Sequence, residues 1–173
     1  VFDNAASTKM VHVSEFTADL IKHGKLKLDK SRNAHLKATF HDSCNPARAM
    51  GLMDEPRYIL DHVVDWVEMP ENTIREMTYC CGSGTGLNTD EIMELRMRAG
   101  LPRANSVKYV EEKHGVNMLS CVCAIDRATL TSLMDYWNPG VGVCGVTELV
   151  GNAIIQEGET RGDELDEGLR TLV

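Results

Sequence analysis

Short apolar runs alternate with amphipathic stretches along most of this chain, and that alternation most narrows the folds open to it. It is the pattern of an α/β domain with a mostly parallel sheet flanked by helices. Strands are expected at 11–13, 37–41, 73–78, 116–122 and 141–146, with helices between them. One helix opens at Pro56, a residue suited to a first helical turn, and repeats apolar positions at Ile59, Val63, Val64 and Val67. Another follows a cap at Asn88 or Thr89 and runs through Ile92, Leu95 and Met97 to a stop at Gly100-Leu101-Pro102. Two more are expected at 106–114 and 124–136. A length of 173 residues suits one domain with a real core and excludes two large ones.

The apolar share of 43% and charged share of 25% are ordinary for a globular protein. No apolar run approaches the roughly 18 to 20 residues needed to cross a bilayer, so a soluble piece is expected. A net charge of -8 argues against a nucleic-acid platform. The charge is nonetheless polarised: Lys and Arg outnumber Asp and Glu by 8 to 5 in the first fifty residues and trail by 10 to 21 afterwards. The chain opens at Val1 with no initiator Met and no signal-like stretch, and is read as a fragment of something longer.

An internal echo suggests how that longer chain is organised. Residues 14–21, Ser-Glu-Phe-Thr-Ala-Asp-Leu-Ile, match residues 147–154, Thr-Glu-Leu-Val-Gly-Asn-Ala-Ile, in type at most positions, offset by 133. Each copy opens with a Ser or Thr that can cap a helix, then a Glu that favours its positive N-terminus. Chance recurrence of strand-cap-helix patterns is the plain explanation. The sharper one makes residues 1–30 the end of a preceding related module, 31–157 a complete second module, and 158–173 an acidic tail.

The six cysteines carry the chemistry: Cys44, Cys80, Cys81, Cys121, Cys123 and Cys144. Adjacent cysteines such as Cys80-Cys81 rarely bond to each other, and helix and strand signals throughout the chain argue against a secreted disulfide framework. A reduced, cytosolic setting with thiolates as metal ligands fits better, against the alternative of inert buried thiols. Cys44, Cys80-Cys81 and Cys123 each follow an expected strand, and in a parallel sheet those ends share one edge, where open α/β folds place ligands. The turn Gly82-Ser83-Gly84-Thr85-Gly86 lets backbone amides approach a bulky anionic group. Soft sulfur ligands without matching histidines favour an iron-sulfur cluster or zinc.

The spacing is specific. Cys44, thirty-five residues, Cys80-Cys81-Gly82, then forty residues to Cys123 resembles the cysteine-rich CCG domain of heterodisulfide reductase B and D subunits. Around it, His41-Asp42-Ser43-Cys44-Asn45-Pro46-Ala47-Arg48 and His114-Gly115-Val116-Asn117-Met118-Leu119 most resemble the K subunit of the Dsr membrane complex, with Hmc and Tmc subunits sharing much of the pattern. The resemblance implies tandem modules, a 4Fe-4S cluster of non-cubane form, and Cys44, Cys80, Cys81 and Cys123 as its ligands. The family closes its motif with Cys-x-x-Cys, whereas this chain has Ser120-Cys121-Val122-Cys123-Ala124-Ile125-Asp126. Cys123 is a ligand in either register; a fifth is Asp126, Cys121 or none. Cys144 lies outside the motif and is expected in the core.

His41 and Asp42, beside Cys44, are candidates to give protons to a departing thiolate or to tune the cluster. Lys108 and Arg48 are candidates to attract an anionic tail, with solvated charge as the ordinary alternative. Met50, Met53, Met93, Met97, Met118 and Met134 are read as core filler. The function that the resemblance implies is reduction of a disulfide or trisulfide, the trisulfide of the small carrier protein DsrC, with electrons from a membrane cytochrome b partner in dissimilatory sulfur metabolism. The chain would then be cytoplasmic and membrane-associated through partner subunits. Alternatives are a non-catalytic electron-transfer subunit and a structural zinc module, for which an adjacent Cys pair is a poor fit.

Overall fold

The computed structural model describes residues 10–84 and 89–156. Strands β1 (Lys37–Phe40), β2 (Asp65–Trp66), β3 (Met118–Cys121) and β4 (Gly142–Gly145) form one sheet. Its order is β2-β1-β3-β4, and every pairing is parallel. Helices α1 (Val13–Lys22), α2 (Asp54–Val63), α3 (Met93–His114), α4 (Ala124–Trp137) and α5 (Val146–Ala153) accompany it. The expected α/β architecture with a parallel sheet flanked by helices is what the chain adopts.

Strand periodicity divides the interior into two cores. Leu119, Cys121 and Val143 face α3 and α4, where they meet Val107, Leu130 and Leu133. Ala38, Phe40, Met118 and Cys144 face the other way, among Leu60, Val63, Leu149 and Ala153. Met97, Met118 and Met134 are core residues, whereas Met50 is 56% exposed.

Residues 11–13 are not a strand. His12 caps α1: its Nδ1 accepts the Ser14 amide at 3.1 Å, and its own amide donates to the Glu15 carboxylate at 2.7 Å. Val11-His12-Val13 pairs with no strand among the described residues, and the capping box satisfies its backbone instead. At the other copy of the echo Glu148 reaches back to the Gly145 amide at 3.1 Å. Both helices therefore use the repeated Glu, with caps two residues before the Ser or Thr, but among the described residues only α5 follows a strand. Residues 13–30 pack on the rest of the described chain: Ala18 sits in the second core, and the Asp29 amide bonds to the Ala153 carbonyl at 2.7 Å.

Two further expectations are corrected. α3 does not stop at Gly100-Leu101-Pro102 but runs unbroken through it. Gly100 is a contact surface there: a Cβ would lie 2.6 Å from Leu133 and 3.1 Å from the Cys81 carbonyl. Residues 73–78 form two 3₁₀ turns, Glu71–Thr73 and Arg75–Met77, with Arg75 at φ 54°, rather than a strand. The strand beside β1 is instead the two-residue β2, too short and too polar to show as an apolar run.

Candidate functional site

β1 sends its chain onward to β2 on one side, while β3 leads to β4 on the other, so the order of strand addition reverses between β1 and β3. The crevice beyond the carboxyl ends of two such strands is where open parallel sheets bind ligands. His41-Asp42-Ser43-Cys44 leaves β1 at this point, and Val122-Cys123 leaves β3 to become the N-cap of α4. Cys80-Cys81 arrives by the irregular segment after β2.

That segment has no strand partner, so side chains satisfy its backbone. Arg57 grips Asp42 with two nitrogens, Nη1 to Oδ1 at 2.7 Å and Nη2 to Oδ2 at 2.8 Å, and also binds Glu68. Asp42 Oδ2 accepts the Arg75 amide at 2.7 Å, and its carbonyl accepts Thr78 Oγ1 at 2.8 Å. Arg48 donates to the carbonyls of Glu76 at 2.9 Å and Thr78 at 2.5 Å. Arg103 of α3 donates to Thr73 O at 2.6 Å and Thr78 Oγ1 at 2.9 Å. Arg48 is thus part of the scaffold, while Lys108 pairs with Glu112 at 3.9 Å on an exposed helix face. Burial would raise the Asp42 carboxyl, yet Arg57 and the Arg75 amide hold it below the usual range. Asp42 is a clamp for the loop and a poor proton source.

Gly82 turns at φ 93°, and a Cβ there would lie 2.5 Å from the Arg96 carbonyl of α3. Its amide points at Cys80 Sγ, 3.3 Å away. Gly84 is also in the left-handed region, whereas Gly86 lies outside the described residues. Cys44 and Cys80 are exposed, Cys123 is half-buried, and Cys81 and Cys121 are buried.

Asp126, in the first turn of α4, stands against Cys81. His41 Nε2 is 3.5 Å from its Oδ2, both side chains being almost fully buried. Burial would raise the Asp126 carboxyl, but His41, Cys81 and Ser43 beside it bring it down to about 2. Burial pushes the His41 imidazole down against the opposing pull of Asp126. It pushes the Cys81 thiol up, and the neighbouring Asp126 charge adds to this. Cys121 lies in the α3–α4 core; its Sγ is 3.7 Å from the Cys144 carbonyl and 3.8 Å from that of Cys123, and burial raises its thiol. Cys144 is 0% exposed on the opposite sheet face, the core residue it was expected to be, and burial raises it to about 12.

Three polar atoms test what the site is made for. His41 Nδ1, Ser43 Oγ and Asp126 Oδ2 are buried and make no well-formed hydrogen bond among the described residues. Leaving such a group unpaired costs about 1–3 kcal/mol, which the 3.5 Å contact of Asp126 Oδ2 with His41 Nε2 and the nearby Ser43 offset in part. Two accessible sulfurs, a partly accessible third, an inward-facing fourth and an amide aimed at sulfur suit a thiolate-held inorganic group. Among the described residues no three His, Cys, Asp or Glu side chains close on a single point. A cavity of about 230 Å³ opens beside Cys123, lined by Ser14, Cys121, Arg127 and Glu148 among others.

Sequence reasoning missed the scaffold of Arg57 and Arg103. Their signal was present: each is a charge on an otherwise apolar helix stripe, Arg57 with Leu60 and Val64, Arg103 with Gly100 and Val107.

No family model and no solved structure matches the chain. It is 51% identical over 146 residues to the Hdr-like menaquinol oxidoreductase iron-sulfur subunit of Archaeoglobus profundus, covering 84% of this chain and 26% of that protein. It is 48% identical over 157 residues to iron-sulfur subunit 2 of the Hdr-like menaquinol oxidoreductase of Archaeoglobus fulgidus, covering 89% of this chain and 28% of that one. One subunit of the dihydromethanophenazine:CoB–CoM heterodisulfide reductase of Methanosarcina mazei is 34% identical over 148 residues, covering 84% and 34% respectively. The chain therefore spans about a quarter to a third of the length of these curated relatives. Such relatives support a heterodisulfide reductase-like family for this chain.

Proposed function

We propose that this chain is the cluster-bearing module of an oxidoreductase that reduces a sulfur–sulfur bond. The observation that supports the reading is that the Cys44 and Cys123 segments leave the adjacent strands β1 and β3 at their carboxyl ends, with Cys81 against Asp126 and the buried polar atoms of His41 and Ser43 beside it. Cys44, Cys80, Cys81 and Cys123 are the proposed ligands of a 4Fe-4S cluster, with Asp126, Cys121 or no residue as the fifth. Gly82, Gly84 and Gly86 supply a turn that brings backbone amides close to it. Such a cluster, when bound, supplies electrons singly at a potential that the protein sets.

The residues themselves bind, orient and protonate. Reduction of a disulfide takes two electrons and two protons and yields two thiols. His41, held against Asp126, is the proposed proton donor to the departing sulfur. The finer assignment is to a Dsr-type complex with the DsrC trisulfide as substrate and a membrane quinol or cytochrome b partner as electron source. The relatives' quinol oxidoreductase names support the quinol link. No helix among the described residues is long and apolar enough to cross a membrane. Attachment would then run through partner subunits on the cytoplasmic side.

Anaerobic iron and acid-labile sulfide analysis, with electron paramagnetic resonance before and after adding a disulfide or carrier persulfide, tests this. About four irons per chain and a signal that substrate perturbs are expected. The iron-sulfur names of the relatives also favour a plain electron-transfer role, which a signal blind to substrate would support instead. Zinc without iron would end both. Cys123→Ala should abolish cluster incorporation, and normal iron content in that variant would sink the ligand assignment.

A further inference from the structure

Arg103 is a buried charge without an adjacent countercharge. It lies on α3 three residues after Gly100, on the same face, where that helix packs against the Cys81 carbonyl. Its side chain is 0% exposed. The guanidinium donates to the Thr73 carbonyl at 2.6 Å and to Thr78 Oγ1 at 2.9 Å, lies 2.9 Å from Met69 Sδ, and stands 5.8 Å from the Tyr79 ring. All four partners are neutral. Among the described residues no carboxylate comes within ion-pair distance, and Nε has no hydrogen-bond partner. Arg57 makes the contrast, since it binds two carboxylates.

Burying an unpaired cation costs several kcal/mol unless something nearby compensates it. Carbonyls, a hydroxyl and an aromatic face return part of that. Asp42 and Asp126 attract Arg103 from farther off, but Asp42 is already matched to Arg57. Burial lowers the guanidinium to about 10, which leaves it charged at neutral pH. Asp126 and the Cys81 sulfur, on the side of the sulfur site, are the groups left for Arg103 to balance.

We propose that Arg103 is the internal counter-cation of the sulfur site, a positioning residue whose fixed charge favours the more negative, reduced state of the group held there. This rests on the cluster reading above. Each electron added makes the site more negative, so a buried positive charge nearby stabilises the reduced form and raises the reduction potential. Arg103 touches no reacting atom; it acts through space and through the Thr78-Tyr79 segment that leads into the cysteine pair.

Potentiometric titration of the iron-loaded full chain, followed by electron paramagnetic resonance, tests the charge in Arg103→Met, Arg103→Lys and Thr78→Val. Arg103→Met should shift the midpoint to more negative values. Arg103→Lys, which keeps the charge, should stay near the wild-type value. Thr78→Val, which removes the hydroxyl contact and keeps the charge, should also stay near it. A wild-type potential in loaded Arg103→Met, or an equal shift in Thr78→Val, overturns the proposal. If Arg103→Met fails to take up iron, loading of Arg103→Lys at the wild-type potential upholds the charge, and failure of both reduces Arg103 to a packing role. A wild-type chain that takes up no iron fails at the earlier step and removes the cluster reading itself.

Discussion

At the scale of single residues, position relative to the sheet decides what a cysteine or a carboxylate can do. Cys144 and Cys121 are two residues from Val146 and Cys123, but both point into cores where a thiolate has no compensation. Cys144→Ala should leave the cluster signal intact and cost roughly 1 kcal/mol, the lower end of large-to-small core changes; denaturant titration and electron paramagnetic resonance read the two halves, and loss of the signal would show Cys144 to be a ligand. Asp42 carries a different load. Its carboxylate is fully buried and joins Arg57 to the Arg75 amide, and breaking a buried pair from one side costs about 3 kcal/mol or more. Asp42→Asn should therefore lower the urea midpoint by that equivalent, and an unchanged midpoint would refute the clamp.

At the scale of elements, the cysteine pair is held because α3 and the loop before it meet at two glycines. Alanine at Gly82 would strain a positive φ and meet the Arg96 carbonyl at 2.5 Å, a backbone atom that cannot move alone. Alanine at Gly100 would meet Leu133 methyls at 2.6 Å and gain helix propensity of about 1 kcal/mol, offsetting overpacking of roughly 1–3 kcal/mol. Gly82→Ala should accordingly be the more destabilising of the two in thermal unfolding and should load less iron; the reverse order would show that the loop can shift away from α3. The helices were legible where their signals were local: the starts of α2 and α4 stand close to expectation, whereas α2 ends at Val63, short of Val67, and the caps of α1 and α5 are His12 and Gly145 rather than Ser14 and Thr147. The expected stop at Gly100 failed because Gly100 lies in a close contact with Leu133 and Cys81, and the exposed Pro102 is tolerated within a helix of 22 residues.

At the scale of the whole molecule, the fold leaves its thiols unequally accessible. In the metal-free chain, Cys44 and Cys80 should react first with an alkylating reagent, Cys123 more slowly, and Cys81, Cys121 and Cys144 only on unfolding. Iron loading should protect Cys44 and Cys80 with no change at Cys144. Mass-spectrometric mapping of labelled peptides checks the order, and early labelling of Cys81 or unprotected Cys44 would contradict the site. The sequence alone determined the parallel α/β class through its alternation of apolar runs, and the spacing of Cys44, Cys80-Cys81 and Cys123 is the pattern on which the proposed site rests, because both are patterns along the chain. The tertiary structure alone decided that residues 73–78 would be turns, that Asp42 would be a clamp, and that Arg103 would lie buried behind the cysteines. Those outcomes turn on which distant side chain satisfies an unpaired backbone or a buried charge, and that partner is set by the packing of β1, β3 and α3 rather than by any neighbour in sequence.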